Sequence, residues 1–85
     1  MSNEQLLKIS QEFDKQIRIF NKKHEGKYFL TLFLDKHVDI FYIYLHYKEG
    51  YFYTFTIPID YLDKFEPKYV IFRLIENGFI KEVNK

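Results

Sequence analysis

The stretch DIFYIYLHYKEGYFYTFTIPID, residues 39–60, constrains the fold more than any other part of this chain. Side chains alternate between the two faces of a strand, and a half-solvated antiparallel pair keeps one of those faces polar. Here aromatic and β-branched residues fill both parities. The pairing register and whatever covers the second face must both be accounted for.

Register follows from turn chemistry and from the rule that a one-residue slip moves every side chain to the other face. A three-residue loop, Lys48-Glu49-Gly50, pairs Tyr47 with Tyr51, Leu45 with Tyr53, Ile43 with Phe55 and Phe41 with Ile57. It also puts Gly50 at the left-handed third position of a bulged hairpin. A two-residue Glu49-Gly50 loop would instead set Leu45 against Thr54 and Ile43 against Thr56, so the longer loop is expected. The preceding segment, KYFLTLFLD, alternates in the same way and pairs Leu34 with Phe41, Leu32 with Ile43 and Leu30 with Leu45. Strands are thus expected at about 27–35, 39–47 and 51–57, in an antiparallel meander with the second strand central. Pro58 stops the third strand because it cannot donate to a ladder.

Helices flank this sheet. Leu6, Ile9, Phe13, Ile17 and Phe20 recur at steps of three and four and share one helical face. Ser2 with Gln5 three residues on has the form of a capping box, and Gly26 ends a first helix of about 3–24. Glu4–Lys8 and Asp14–Arg18 are spaced as i,i+4 pairs on its wet side. After Pro58, Asp60 caps a short turn of about 60–65. Pro67 then opens a final helix of about 67–77, which Gly78 closes. Tyr69, Val70, Ile71, Phe72, Leu74 and Ile75 make that helix apolar on most sides. The tail 79–85 reads equally as a short strand or as a docked extension. The expectation is a single α+β domain over 1–85, α-β-β-β-α, with a three-stranded antiparallel meander packed against helices.

In topology alone this order resembles that of double-stranded-RNA-binding domains. Those domains carry a basic cluster at the start of their last helix. This chain has Asp60, Asp63 and Glu66 there, with only Lys64 and Lys68 between. Their function is not implied.

On the second face the register gathers Phe29, Thr31, Phe33, Ile40, Tyr42, Tyr44, His46, Phe52, Thr54 and Thr56. Three coverings suit such a face. A helix could lie on each side of the sheet, or helix 1 could wrap round it. A second subunit or another protein could cover it, since Tyr and Phe with few Lys or Glu is the composition of an interface core. Bases could stack on its rings, at about 1–3 kcal/mol each, although strands 2 and 3 carry no Lys or Arg to hold phosphate. The candidate interface or ligand residues are Phe29, Phe33, Ile40, Tyr42, Tyr44, His46 and Phe52, with Tyr69 and Phe72 on the last helix.

Composition narrows the function classes. In 85 residues, 47% are hydrophobic and 21% aromatic. A domain this short buries only about 60–65% of its unfolded surface, so such a surplus goes into a dense core, an interface or a binding surface. Charges nearly cancel, 13 basic against 12 acidic, with the signs mixed along the chain. There is no basic stripe to displace counterions from a nucleic acid. Without cysteine there is no disulfide framework and no thiolate metal site.

No catalytic constellation emerges. His24, His37 and His46 lack ligand spacing, Ser2 and Ser10 have no evident base, and the three glycines sit singly rather than in a phosphate loop. Asp60 and Asp63 read as cap and first-turn residues. No enzyme, metal or cofactor is expected. The expected partner is a second copy of the chain, as a dimer, or another protein; nucleic acid is the alternative and a membrane is excluded. The N-terminus lacks a signal-peptide core and no run approaches the roughly 20 apolar residues of a membrane span, so the expected compartment is the cytoplasm. The absence of alanine and the wealth of Lys, Ile, Phe and Tyr point to an AT-rich source. An accessory or inhibitor protein of a phage or mobile element would fit that.

Overall fold

Ser2 and Gln5 start the first helix as their spacing predicts. The Gln5 N–H donates to Ser2 Oγ at 3.2 Å, and the Ser2 N–H donates to Gln5 Oε1 at 3.1 Å. The computed structural model describes residues 2–84; Met1 and Lys85, the ends of the expected domain, lie outside them. Helix α1 covers Asn3–Lys23 and buries Phe13, Ile17 and Phe20, with Leu6 and Ile9 packed at the margin of the core. The chain leaves the helix at His24 and reverses at Gly26, whose φ of 84° is open to glycine at no steric cost. Neither expected i,i+4 ion pair closes. Instead Lys23 Nζ reaches Glu76 Oε2 at 3.0 Å, joining α1 to the C-terminal helix.

Strands β1 (Phe29–Asp35), β2 (Ile40–Lys48) and β3 (Tyr51–Pro58) form the meander, with β2 central. Leu30↔Leu45, Leu32↔Ile43 and Leu34↔Phe41 pair as the apolar pattern requires, as do Phe41↔Ile57, Ile43↔Phe55 and Leu45↔Tyr53. At the hairpin the expected Tyr47–Tyr51 pair is replaced by Lys48↔Tyr51, with a register shift between His46 and Lys48. Tyr47 is thus the extra residue of a bulge, and Gly50 takes the left-handed turn position with φ 79°. β1 also begins two residues later than expected, because Lys27 and Tyr28 both bond back to the His24 carbonyl.

The helices of the described residues all lie on one side of this sheet. α1 packs on β1 and on the C-terminal helix, and the Phe13 ring meets Phe41 at 5.1 Å. Phe41, Ile43, Leu45, Leu30 and Ile57 are fully buried against Phe20, Val70 and Ile75. Coverage fails at the hairpin end, where Tyr51 is 57% and Tyr53 42% exposed. The inner face is therefore core over its centre only, not along its whole length.

The C-terminal helix departs most from expectation. A 3₁₀ turn, Ile59–Asp63, leads to α2 (Pro67–Val70), which runs on without a break through a π-helical stretch, Ile71–Ile80, into α3, Lys81–Val83. Gly78 therefore does not close the helix at 77, and the tail 79–83 is helix rather than strand. The buried positions give the reason. At 3.6 residues per turn, Ile80 would lie opposite Ile71. At the π-helix's wider turn of about 4.4, Ile71, Ile75 and Ile80 share one face, and all three are buried. At Gly78 this turn is tight, since a Cβ there would stand 2.6 Å from the Arg73 carbonyl oxygen.

Candidate interaction face

The side of the sheet away from the helices carries four rows of side chains, each crossing the three strands. Cross-strand pairing sets them as Phe29–His46–Phe52, Thr31–Tyr44–Thr54, Phe33–Tyr42–Thr56 and Asp35–Ile40–Pro58. No helix of the described residues lies over them, so neither arrangement in which a helix covers this face is the one adopted. Phe29, Phe33 and Phe52 are 50%, 53% and 52% exposed, whereas Ile40, Tyr42, Tyr44 and His46 on the central strand are half-buried by their neighbours.

The rings brace one another. Phe29 stacks on His46 with centroids 4.2 Å apart and planes within 3°. On the opposite flank, Phe52 lies 5.6 Å from His46 and stands edge-on to Tyr44 at 5.3 Å. Thr31 Oγ1 holds His46 Nε2 at 3.0 Å and so fixes the imidazole plane between the two phenylalanines. Phe33 and Tyr42 make a looser pair at 6.2 Å. Such cross-strand contacts stabilise a sheet by about 0.2–1 kcal/mol each. Here they also hold an apolar surface in one shape, so little side-chain entropy remains to be lost on docking.

Seven of the nine candidates therefore share one surface. Tyr69 and Phe72 do not join it, since they lie exposed in the helical layer on the other side of the sheet. Tyr69 belongs to a ladder at four-residue spacing: Tyr61–Phe65 at 4.6 Å, Phe65–Tyr69 at 5.3 Å, then Arg73, whose Nη1 donates to the Tyr69 hydroxyl at 2.7 Å.

A second aromatic surface was not singled out from sequence. Where the inner face runs past the helices, Lys27, Tyr28, Tyr47, Tyr53, Phe79 and Val83 line a groove of about 280 Å³. Tyr53 stacks on Tyr47 at 4.5 Å and packs on Phe79 at 4.3 Å. The neighbouring Tyr53 phenol holds the Tyr47 pKa above the usual 10. The bulge at Tyr47 replaces the expected Tyr47–Tyr51 pair, which is why spacing alone does not locate this groove.

Polar clusters are sparse. Asp39, Asp60 and Asp63 line a cleft of about 210 Å³ with Asn3, Leu6, Lys36 and Ile59. Among the described residues no group of three or more His, Cys, Asp or Glu side chains is placed to hold a metal ion. No helix of the described residues is long and apolar enough to cross a membrane. No known protein family, curated protein or solved structure matches this chain.

Proposed function

We propose that this chain is a non-catalytic interaction protein that docks a second copy of itself through the outer face of its sheet. The observation that supports this is a braced aromatic face, left open by the helices and bearing no charged side chain except Asp35 at one end. A face meeting its own copy across a two-fold axis sets each group against the same surface, and an uncharged face does so without like-charge repulsion. Three half-exposed phenylalanines offer about 100 Å² each. With the tyrosines and threonines between them the face presents about 600 Å², so a pair would bury about 1,200 Å², the lower end of a specific interface. Stacking of bases on Phe29, His46 and Phe52 is the second reading, but the face offers no cation to hold the phosphates. Acting by contact alone suits an accessory or inhibitor protein in the cytoplasm.

Light scattering at about 100 μM, above the Kd of weak specific contacts, should show an assembled chain. Phe33→Glu and Tyr42→Glu, both outside the core, should reduce its mass while leaving circular dichroism unchanged. A monomeric wild type at that concentration rejects the reading. Saturable quenching of tyrosine fluorescence by oligonucleotides would favour the second one.

A further inference from the structure

The two edges of the sheet differ at one β1 residue, Leu30. At the β1 edge, Asn21 Nδ2 donates to the Leu30 carbonyl at 3.1 Å and the Leu30 N–H donates to Asn21 Oδ1 at 2.6 Å. Both backbone groups of Leu30 therefore point away from β2, and Leu30↔Leu45 is a wide pair of the ladder. That settles the parity of the whole sheet. Phe29, Thr31, Phe33 and Asp35 bond to the even residues of β2, and the odd residues of β2 bond to Tyr53, Phe55 and Ile57. The Ile59 N–H, donating to the Asp39 carbonyl at 3.0 Å, continues the same parity.

It follows that Phe52, Thr54 and Thr56 point their N–H and C=O groups outward along the free edge of β3. Among the described residues nothing bonds to them. Pro58 falls on the same outward parity, where a missing N–H costs no ladder bond. Natural edges are shielded by lysine or proline, by a mid-strand bulge or by a covering element. β3 has only Pro58, at its last position: Tyr51–Pro58 contains no charged residue, the bulge lies on β2, and Tyr51 to Thr54 are all exposed.

We infer that the β3 edge takes the β3 edge of a second copy, antiparallel about a two-fold axis at Thr54. Thr54 then exchanges two bonds with its own counterpart, and Phe52 and Thr56 exchange two with Thr56 and Phe52 of the other copy on either side of the axis. All six outward N–H groups are satisfied, and the sheet runs on through six strands. A second copy fits better than a charged segment, because the rim offers no charge to attract one and none to repel itself. The inference rests on the self-association proposed above and adds a second contact to it. An outer-face contact and a β3 contact, both two-fold, together close four chains into a sandwich of two six-stranded sheets.

Thr54→Pro and Thr56→Pro test it, because each removes an outward N–H and no ladder bond within the chain. Light scattering should give half the wild-type mass for either variant, with unchanged circular dichroism. Phe33→Glu should also halve the mass, and Phe33→Glu with Thr54→Pro should give single chains. Hydrogen exchange on the wild type supplies a readout that needs no variant: the Phe52, Thr54 and Thr56 amides should be protected in the assembly and should exchange freely in Phe33→Glu/Thr54→Pro wherever an N–H remains. Proline variants that keep the wild-type mass, or fast exchange at those three amides in an assembled wild type, overturn the β3 contact. If Phe33→Glu alone then yields single chains, the outer-face reading stands without it. A monomeric wild type overturns both.

Discussion

Asn21 closes both backbone groups of Leu30 with a single carboxamide, standing at the β1 edge where another strand would otherwise pair. One side chain of α1 thereby ties helix to sheet and occupies the outward backbone groups of one β1 residue. Leu32 and Leu34, on the same outward parity, have no such partner among the described residues.

Asn21→Ala is expected to lower stability by about 1–2 kcal/mol through two lost hydrogen bonds. It should also free the outward groups of Leu30 beside those of Leu32 and Leu34, and so raise the assembled mass or the tendency to precipitate. Asn21→Asp keeps the acceptor for the Leu30 N–H and loses the donor to its carbonyl, so it should fall between. Urea midpoints and light scattering of the two variants check this.

Gly78→Ala should destabilise the protein. In an ordinary helix interior the change would stabilise by about 1 kcal/mol. Here the new Cβ meets the Arg73 carbonyl oxygen at 2.6 Å, a backbone atom that moves only if the turn rewinds. Rewinding to α geometry would swing Ile80 away from the core face. A loss of about 1–3 kcal/mol is expected, and thermal melts of wild type and variant decide its sign.

Stability should fall between neutral and mildly acidic pH through His24. Its Nε2 is buried without a hydrogen-bond partner, between Phe20 at 4.3 Å and Tyr28 at 5.9 Å. Burial holds its pKa below the usual 6.5, with Glu76 opposing and Lys23 and Lys27 reinforcing. Above 6.5 the ring is neutral in both states and stability does not respond to it. As pH drops below 6.5 the unfolded chain takes up the proton first, and stability declines until the folded pKa is passed. Urea midpoints at about pH 7.5 and 5.5 should differ more in wild type than in His24→Leu. Equal differences would assign the effect to other groups.

Phe13→Ala should cost about 3–5 kcal/mol, most of the stability of a domain this small. Phe13 is wholly buried and its ring meets Phe41, so no surface loop can collapse into the void. Phe33→Ala, on the open face, should cost less than about 1 kcal/mol. The contrast between the two in denaturant melts separates core from interaction surface.

Much of this architecture is legible in residue spacing, because local rules and burial agree. Ser2 and Gln5 cap α1, Gly50 marks the left-handed turn position, and the alternation of β2 and β3 permits one register that gathers Phe41, Ile43 and Leu45. The seven outer-face candidates follow from that register directly. Spacing fails where a local signal has two meanings. Glycine after an apolar run usually marks a helix end, yet Gly78 lies inside one. The 71–75–80 spacing that betrays the wider turn resembles noise unless one already knows which residues are buried.

The sequence by itself determined the order of elements, the register away from the hairpin and the two inventories of side chains on the sheet, since each depends on neighbours in the chain or directly across a turn. Only the tertiary structure decided which inventory the helices cover, that both helical segments share one side, and that Asn21 stands against Leu30 while β3 stays open. Those outcomes depend on where α1 and the C-terminal helix pack, and many distant contacts set that together. A pattern of period 2 is indifferent to which side a helix approaches when both sides are apolar.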